Sequence, residues 1–285
     1  MNIKQIKNRA DDLLIDCKPQ VIRTLMIMVL ISAIPSLFGE ENVFFSFISF
    51  VLSILFLTFS HGQVVTALKV VRNNKEMLDD DDALVGFKRF QELFFTYFLN
   101  ALILFAVIIV FVIFATMLFL ILYGAAFTTL SSYSFNISAV DVNSFVDLFS
   151  YLGVFGSSIL GFFALFCFIM VIVILVLTLY LFAVPYLLEQ YNIKGGAAIS
   201  ESCRFMKGNV WNLFKLQFSF IGWILLFVFL ESLLIQFLAF IPVLGPVIAS
   251  VIVGIAAVYT YTPKYLVSMA IFFEEIAYYR YNSNQ

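Results

Sequence analysis

From Phe94 to Phe127 the chain carries no Asp, Glu, Lys or Arg, and from Leu152 to Leu188 it again carries none. About twenty apolar residues are enough for a helix to cross roughly 30 Å of hydrocarbon. Inside a bilayer the backbone finds partners only within helices or closed barrels. Continuous apolar runs without strict alternation select helices. Four further runs read the same way, giving six candidate spans: about Val21–Phe38, Val43–Val71, Phe94–Phe127, Leu152–Leu188, Leu216–Phe240 and Val247–Ile276. The third and fourth are longer than a bilayer needs, so they are expected to tilt, kink or protrude. Pro185, which lacks a backbone donor and crowds the preceding turn, marks the expected kink.

Composition excludes the soluble alternative. Hydrophobic residues make up 63% of the chain and charged residues 12%, against roughly 45–50% and 25% in soluble domains. No soluble fold of 285 residues has interior enough for that much apolar side chain. The polar lead before the first run holds Asp11, Asp12 and Asp16, and no A-x-A site follows. That run is therefore read as a span, not a cleaved signal. Cys17, Cys167 and Cys203 fall at no metal-ligand spacing and suggest no disulfide framework.

The basic residues set an expected orientation. Lys4, Lys7, Arg9, Lys18 and Arg23 precede or open the first span. Lys69, Arg72, Lys75, Lys88 and Arg89 follow the second, and Lys194, Arg204, Lys207 and Lys215 follow the fourth. Lys264 and Arg280 lie in the last turns. All of these fall on one side, while the opposite connections hold Glu40, Glu41, Asp141 and Asp147 and no base. The positive-inside rule then places both termini in the cytoplasm of a cell-membrane protein.

On this reading the chain is one integral membrane domain, 1–285, all-α and polytopic. Three amphipathic segments are expected at the cytoplasmic interface: 1–18, 72–92 and 195–209. Each would bury an apolar stripe at the headgroups and offer cations to anionic lipid. The outer loop, 128–151, is the only long polar connection, and Asp141–Phe149 could form a short surface helix in it. Asp79 to Asp82 lack the alternating ligands and glycine of a calcium loop, so they read as the cap of a helix starting near Ala83. A weak internal echo pairs Leu93-Phe94 and Phe98 with Leu213-Phe214 and Phe218 at one offset, as though span, break, interfacial helix and span occurred twice.

The stretch AISESCRFMKGNVWNLFKLQFSFIGWILL, 198 to 226, resembles the signature of the bacterial integral-membrane family of unknown function numbered 975. Ala198, Ile199, Ser202, Met206, Lys207, Gly208, Phe214 and Phe218 to Trp223 stand in the matching places. Gly86-Phe87-x-x-Phe90 and the stretch from Pro263 to Phe273 agree as well, although Lys264 replaces the tyrosine usual after that proline. The family is similar in turn to the membrane domain fused to some glycerophosphodiester phosphodiesterases. The resemblance implies an embedded helical bundle in a lipid-related setting, and no reaction.

Candidate sites follow from charge and position. Arg204, Lys207, Lys215 and Trp211 face the expected headgroup region, with Trp223, Lys88 and Arg89 as further lipid or ligand contacts. In plain structural terms, Gly208 ends one helix, Asn209 caps the next, and Gly222 admits a neighbouring helix. Glu231 is the only acid clearly inside a span, about 24 Å from Lys215 at about 1.5 Å per residue, so it lies in the outer part of the core. Hydrogen bonds to Ser232 or Gln236 would lower its cost. His61, the only histidine, lies close to the cytosolic boundary, too far from Glu231 for a direct proton relay, and reads more simply as a polar cap. No nucleophile–base set or phosphate-cradling loop is present, so no enzyme activity, cofactor, metal or nucleic-acid partner is expected. The leading expectation is a protein that binds or moves a lipid-like or amphipathic molecule. A scaffold docking a partner protein through its cytosolic helices, or an ion-coupled transporter using Glu231, are the alternatives.

Overall fold

The structure, a computed structural model, describes residues 2–38, 43–132, 142–241 and 244–282. Its helices are α1 (Ile3–Leu14), α2 (Lys18–Ser32), α3 (Val43–Leu55), α4 (His61–Val71), α5 (Val85–Lys88), α6 (Phe90–Ser132) and α7 (Val142–Leu181). They continue with α8 (Val184–Tyr191), α9 (Gly195–Met206), α10 (Val210–Phe218), α11 (Ile221–Phe237), α12 (Leu244–Thr260) and α13 (Thr262–Asn282). No strand occurs among the described residues. Glu40, Glu41 and residues 133–141 of the outer loop lie outside the described residues, and 142–149, expected as a separate short surface helix, instead form the first turns of α7.

Four stretches are long and apolar enough to cross a membrane: Lys18–Leu37, Val43–Val71, Phe90–Ile121 and Ser157–Tyr191. The number reaches six if each of two bent pairs is one span, α10 with α11 at 50° and α12 with α13 at 60°. The fifth and sixth runs are therefore not the straight segments that their hydropathy suggests. Ser219 Oγ donates to the Leu216 carbonyl at 2.7 Å, back-bonding that loosens a helix end. Pro263, in the first turn of α13, cannot donate to the preceding helix. Pro185 acts likewise, and α7 stops at Leu181 before α8 resumes at Val184.

The order of elements extends the echo to three stretches. One order recurs: amphipathic segment, apolar helix, second apolar helix, then a helix beyond a break. The copies are α1–α4, the Asp80–Leu84 turn through α8, and α9–α13. Packing closes this succession on itself, because α1 packs on α13, the Asp80–Leu84 turn on α4, and α9 on α8. The apolar stripes of the amphipathic segments are thereby buried in protein: Ile6, Ala10 and Leu14 on α1, Ala198, Phe205 and Met206 on α9. Lys264 Nζ fixes Asp11 at 2.5 Å across the α1–α13 seam.

These contacts belong to a unit comprising residues 1–100 and 179–285. Its centre is α13, whose Ile271, Phe272 and Phe273 are fully buried. Phe273 stacks on Tyr186 of α8 at 4.9 Å and on Phe205 of α9 at 5.1 Å, so one ring joins three helices.

Residues 101–178 form a second unit, an antiparallel hairpin of α6 and α7. Phe111 meets Phe166 at 4.7 Å, Phe119 meets Phe163 at 5.4 Å, and Tyr123 O–H donates to the Ser158 carbonyl at 2.9 Å. The other faces leave Ile113, Leu120, Phe168 and Val171 exposed. A helix pair that is apolar all round is suited to hydrocarbon.

Candidate functional site

His61 opens α4, where two close backbone approaches hold the turn that follows the second span. A Cβ on Gly62 would lie 2.5 Å from the Asp82 carbonyl oxygen, and one on Gly86 would overlap the Thr58 carbonyl. Thr58 Oγ1 donates to the Gly86 carbonyl at 3.0 Å, and Phe87 stacks on Phe59 at 4.9 Å. The glycines are what let the 79–88 segment lie against the start of α4. The Asp run caps this segment, with the Asp79 N–H donating to the Asp82 carboxylate at 3.2 Å. The same run gathers cations from three helices: Lys69 reaches Asp82 at 2.6 Å, Lys88 reaches Asp81 at 2.5 Å, and Arg23 pairs with Asp80. Among the described residues no cluster of His, Cys, Asp and Glu is suited to a metal ion.

His61 is completely buried. Its Nε2 lies 3.0 Å from Glu189 Oε2, and its Nδ1 lies 2.9 Å from the Tyr97 hydroxyl. An ionised carboxylate only accepts, so Nε2 carries a proton, and in the neutral ring Nδ1 accepts from Tyr97. The same Glu189 oxygen accepts from Arg89 Nη1 at 2.6 Å. Arg89 Nε donates in turn to Glu92 at 3.0 Å, and Lys194 Nζ binds the other oxygen of Glu92 at 2.9 Å. Tyr97, His61, Glu189, Arg89, Glu92 and Lys194 thus form one polar chain, joining α4, α6, α8 and the α8–α9 link. Gly195, at φ 59°, turns that link and donates its N–H to Thr96 Oγ1 at 2.8 Å.

The remaining candidate residues lie apart from this chain. Lys88 is exposed and paired with Asp81, and Arg204 stands 3.7 Å from Glu201 within α9. Lys207 and Lys215 are exposed and have no carboxylate within ion-pair distance among the described residues. Lys215 lies 5.5 Å over the ring of Trp211, which is 62% exposed and stacks on Phe214 at 5.2 Å. Trp223 stacks on Tyr261 at 6.2 Å. No atom would meet a Cβ on Gly222 within 4 Å, so that glycine admits no close neighbour. Glu231 is half-buried in α11, and the Ser232 hydroxyl donates to the Val228 carbonyl. Lys7 turns toward the protein, 4.4 Å over Phe220, where burial, aided by the Lys264 charge and opposed by Asp11, draws its pKa below the usual lysine value.

The family model for "Protein of unknown function (DUF975)" matches residues 1–279. This chain belongs to that family. No curated protein and no solved structure matches it. In this DUF975 chain the short motifs have local reasons. Gly86 permits a backbone contact, Phe87 packs beneath it, and Gly208, at φ 88°, turns α9 into α10. Sequence reasoning missed Tyr97, Glu92 and Glu189. Glu189 had one available signal, because it is the first charge after a run that has none.

Proposed function

We propose that this chain is a multi-pass membrane protein that binds a lipid-like, anionic amphipath at its cation-bearing surface, without catalysing a reaction. The supporting observation is at the α9–α10 turn and α10, where Lys207 and Lys215 are exposed and free of carboxylate partners among the described residues, and Lys215 lies over the exposed indole of Trp211. Ammonium groups beside Trp suit the phosphate layer of a membrane. The other candidate cations Lys88, Arg89 and Arg204 are each engaged by an acid of this chain. His61 has both ring nitrogens engaged and no exposed surface, so it offers no base to a substrate, which supports a non-catalytic role. A cell-membrane location with both termini inside rests on the one-sided placement of Lys and Arg. The resemblance to a membrane domain fused to phosphodiesterases of lipid-derived substrates agrees with this setting.

Native mass spectrometry of the delipidated protein, titrated with phosphatidylglycerol or phosphatidylcholine, tests the proposal. Preferential retention of phosphatidylglycerol, weakened in Lys207→Gln/Lys215→Gln, is expected. Equal retention of the two lipids by the unaltered protein overturns it.

A further inference from the structure

A groove of about 850 Å³ runs along α2, bounded on its far side by Tyr259 of α12 and by Asp80. Lys18, Ile22, Met26 and Leu30 recur every fourth residue and so form one stripe, with Arg23 and Ile27 beside it. The groove is polarised along its length. One end holds Lys18, exposed and without a carboxylate partner among the described residues, and Arg23, bound to Asp80. From Met26 to Leu30 the α2 side of the groove is apolar, and Leu30 is 51% exposed.

Two quantities select an occupant. Lys18 to Leu30 rises about 18 Å at about 1.5 Å per residue, close to the roughly 15 Å depth of one leaflet of a 30 Å core. The head of the groove carries two cations against one carboxylate, leaving a positive charge uncompensated. Arg23 has guanidinium donors to spare while holding Asp80, because five N–H groups share one carboxylate. We propose that this groove binds one anionic phospholipid, its phosphate at Lys18 and Arg23 and one acyl chain along Ile22, Met26 and Leu30. A zwitterionic lipid would leave the excess charge unmatched. The inference rests on the lipid-binding reading above but assigns a place separate from the α10 face.

The test titrates the delipidated full chain with phosphatidylglycerol or phosphatidylcholine of matched acyl chains and counts bound lipids by native mass spectrometry. One phosphatidylglycerol is expected to bind about fivefold or more tightly than phosphatidylcholine. Lys18→Gln is expected to remove most of that preference while leaving phosphatidylcholine binding unchanged. Met26→Trp, which fills the groove, is expected to lose the tight site for both lipids. If both variants keep the preference for phosphatidylglycerol, the groove assignment falls while lipid binding elsewhere stands. No preference in the unaltered protein overturns both readings. A dimer that Met26→Trp abolishes assigns the groove to a second copy and overturns the proposal.

Discussion

His61 and Glu189, 128 residues apart in sequence, meet at 3.0 Å between Nε2 and Oε2. That contact links the last helix of the first copy, α4, to the last helix of the second, α8. Through Arg89 it also holds the start of α6.

Glu189→Gln leaves Arg89 and His61 sharing a neutral amide. A loss of about 1–3 kcal/mol is expected, because one member of a partly buried charge network is removed. His61→Ala opens a fully buried site and is expected to cost about 2–4 kcal/mol. Thermal unfolding in mild detergent reads both. The double variant should lose less than the two single losses together, and strict additivity would show that the pair is not coupled.

Gly86→Ala pushes a Cβ into the Thr58 carbonyl, backbone against backbone, with no flexible side chain to give way. A destabilisation of about 3 kcal/mol or more is expected, with poor recovery of folded protein. Gly222→Ala meets nothing within 4 Å and should change stability by under about 1 kcal/mol, favourably on helix propensity. Equal behaviour of the two variants in size-exclusion chromatography would contradict the close approach.

Phe273→Ala removes the ring that touches Tyr186 and Phe205, and should cost about 3–5 kcal/mol. Phe240→Ala, at a position 77% exposed, serves as the control and should leave the melting temperature nearly unchanged. A melting temperature of Phe273→Ala matching that of the control would refute the central place given to α13.

Cys203 is exposed on α9, whereas Cys17 is 2% exposed. A membrane-impermeant maleimide should label Cys203 in inside-out vesicles and not in intact cells, and Cys17 in neither until the protein is denatured. Labelling of Cys203 in intact cells would reverse the orientation proposed for the cation-bearing side.

Much of the architecture is legible in the order of residues alone. Apolar run lengths locate the helices, because backbone satisfaction in hydrocarbon leaves few other options. Asp79 to Asp82 announce a capped turn, and Pro185 announces a break. What hydropathy averages away are the bends: Ser219 and Pro263 sit within runs whose mean character is uniform, yet each interrupts a helix. The polar chain is legible only in part, for a different reason. A sequence shows that Arg89 is a cation near a membrane surface but not that Glu189, one hundred residues further on, turns toward it. His61 is visible as a polar residue at a helix start, and its partners are not. The third copy of the repeat stays hidden because phenylalanine and leucine recur too often for residue identity to mark it, while the order of breaks and packing does.

The seam between α1 and α13 imposes an order of events during biosynthesis. Asp11 is joined to the chain 253 residues ahead of Lys264, its partner. While translation proceeds, α1 has α4 for a neighbour but lacks α13, its main partner, so part of its greasy side stays open until the last helix is made. A ribosome that stalls before α13 therefore leaves the part of α1 that α13 would cover still open.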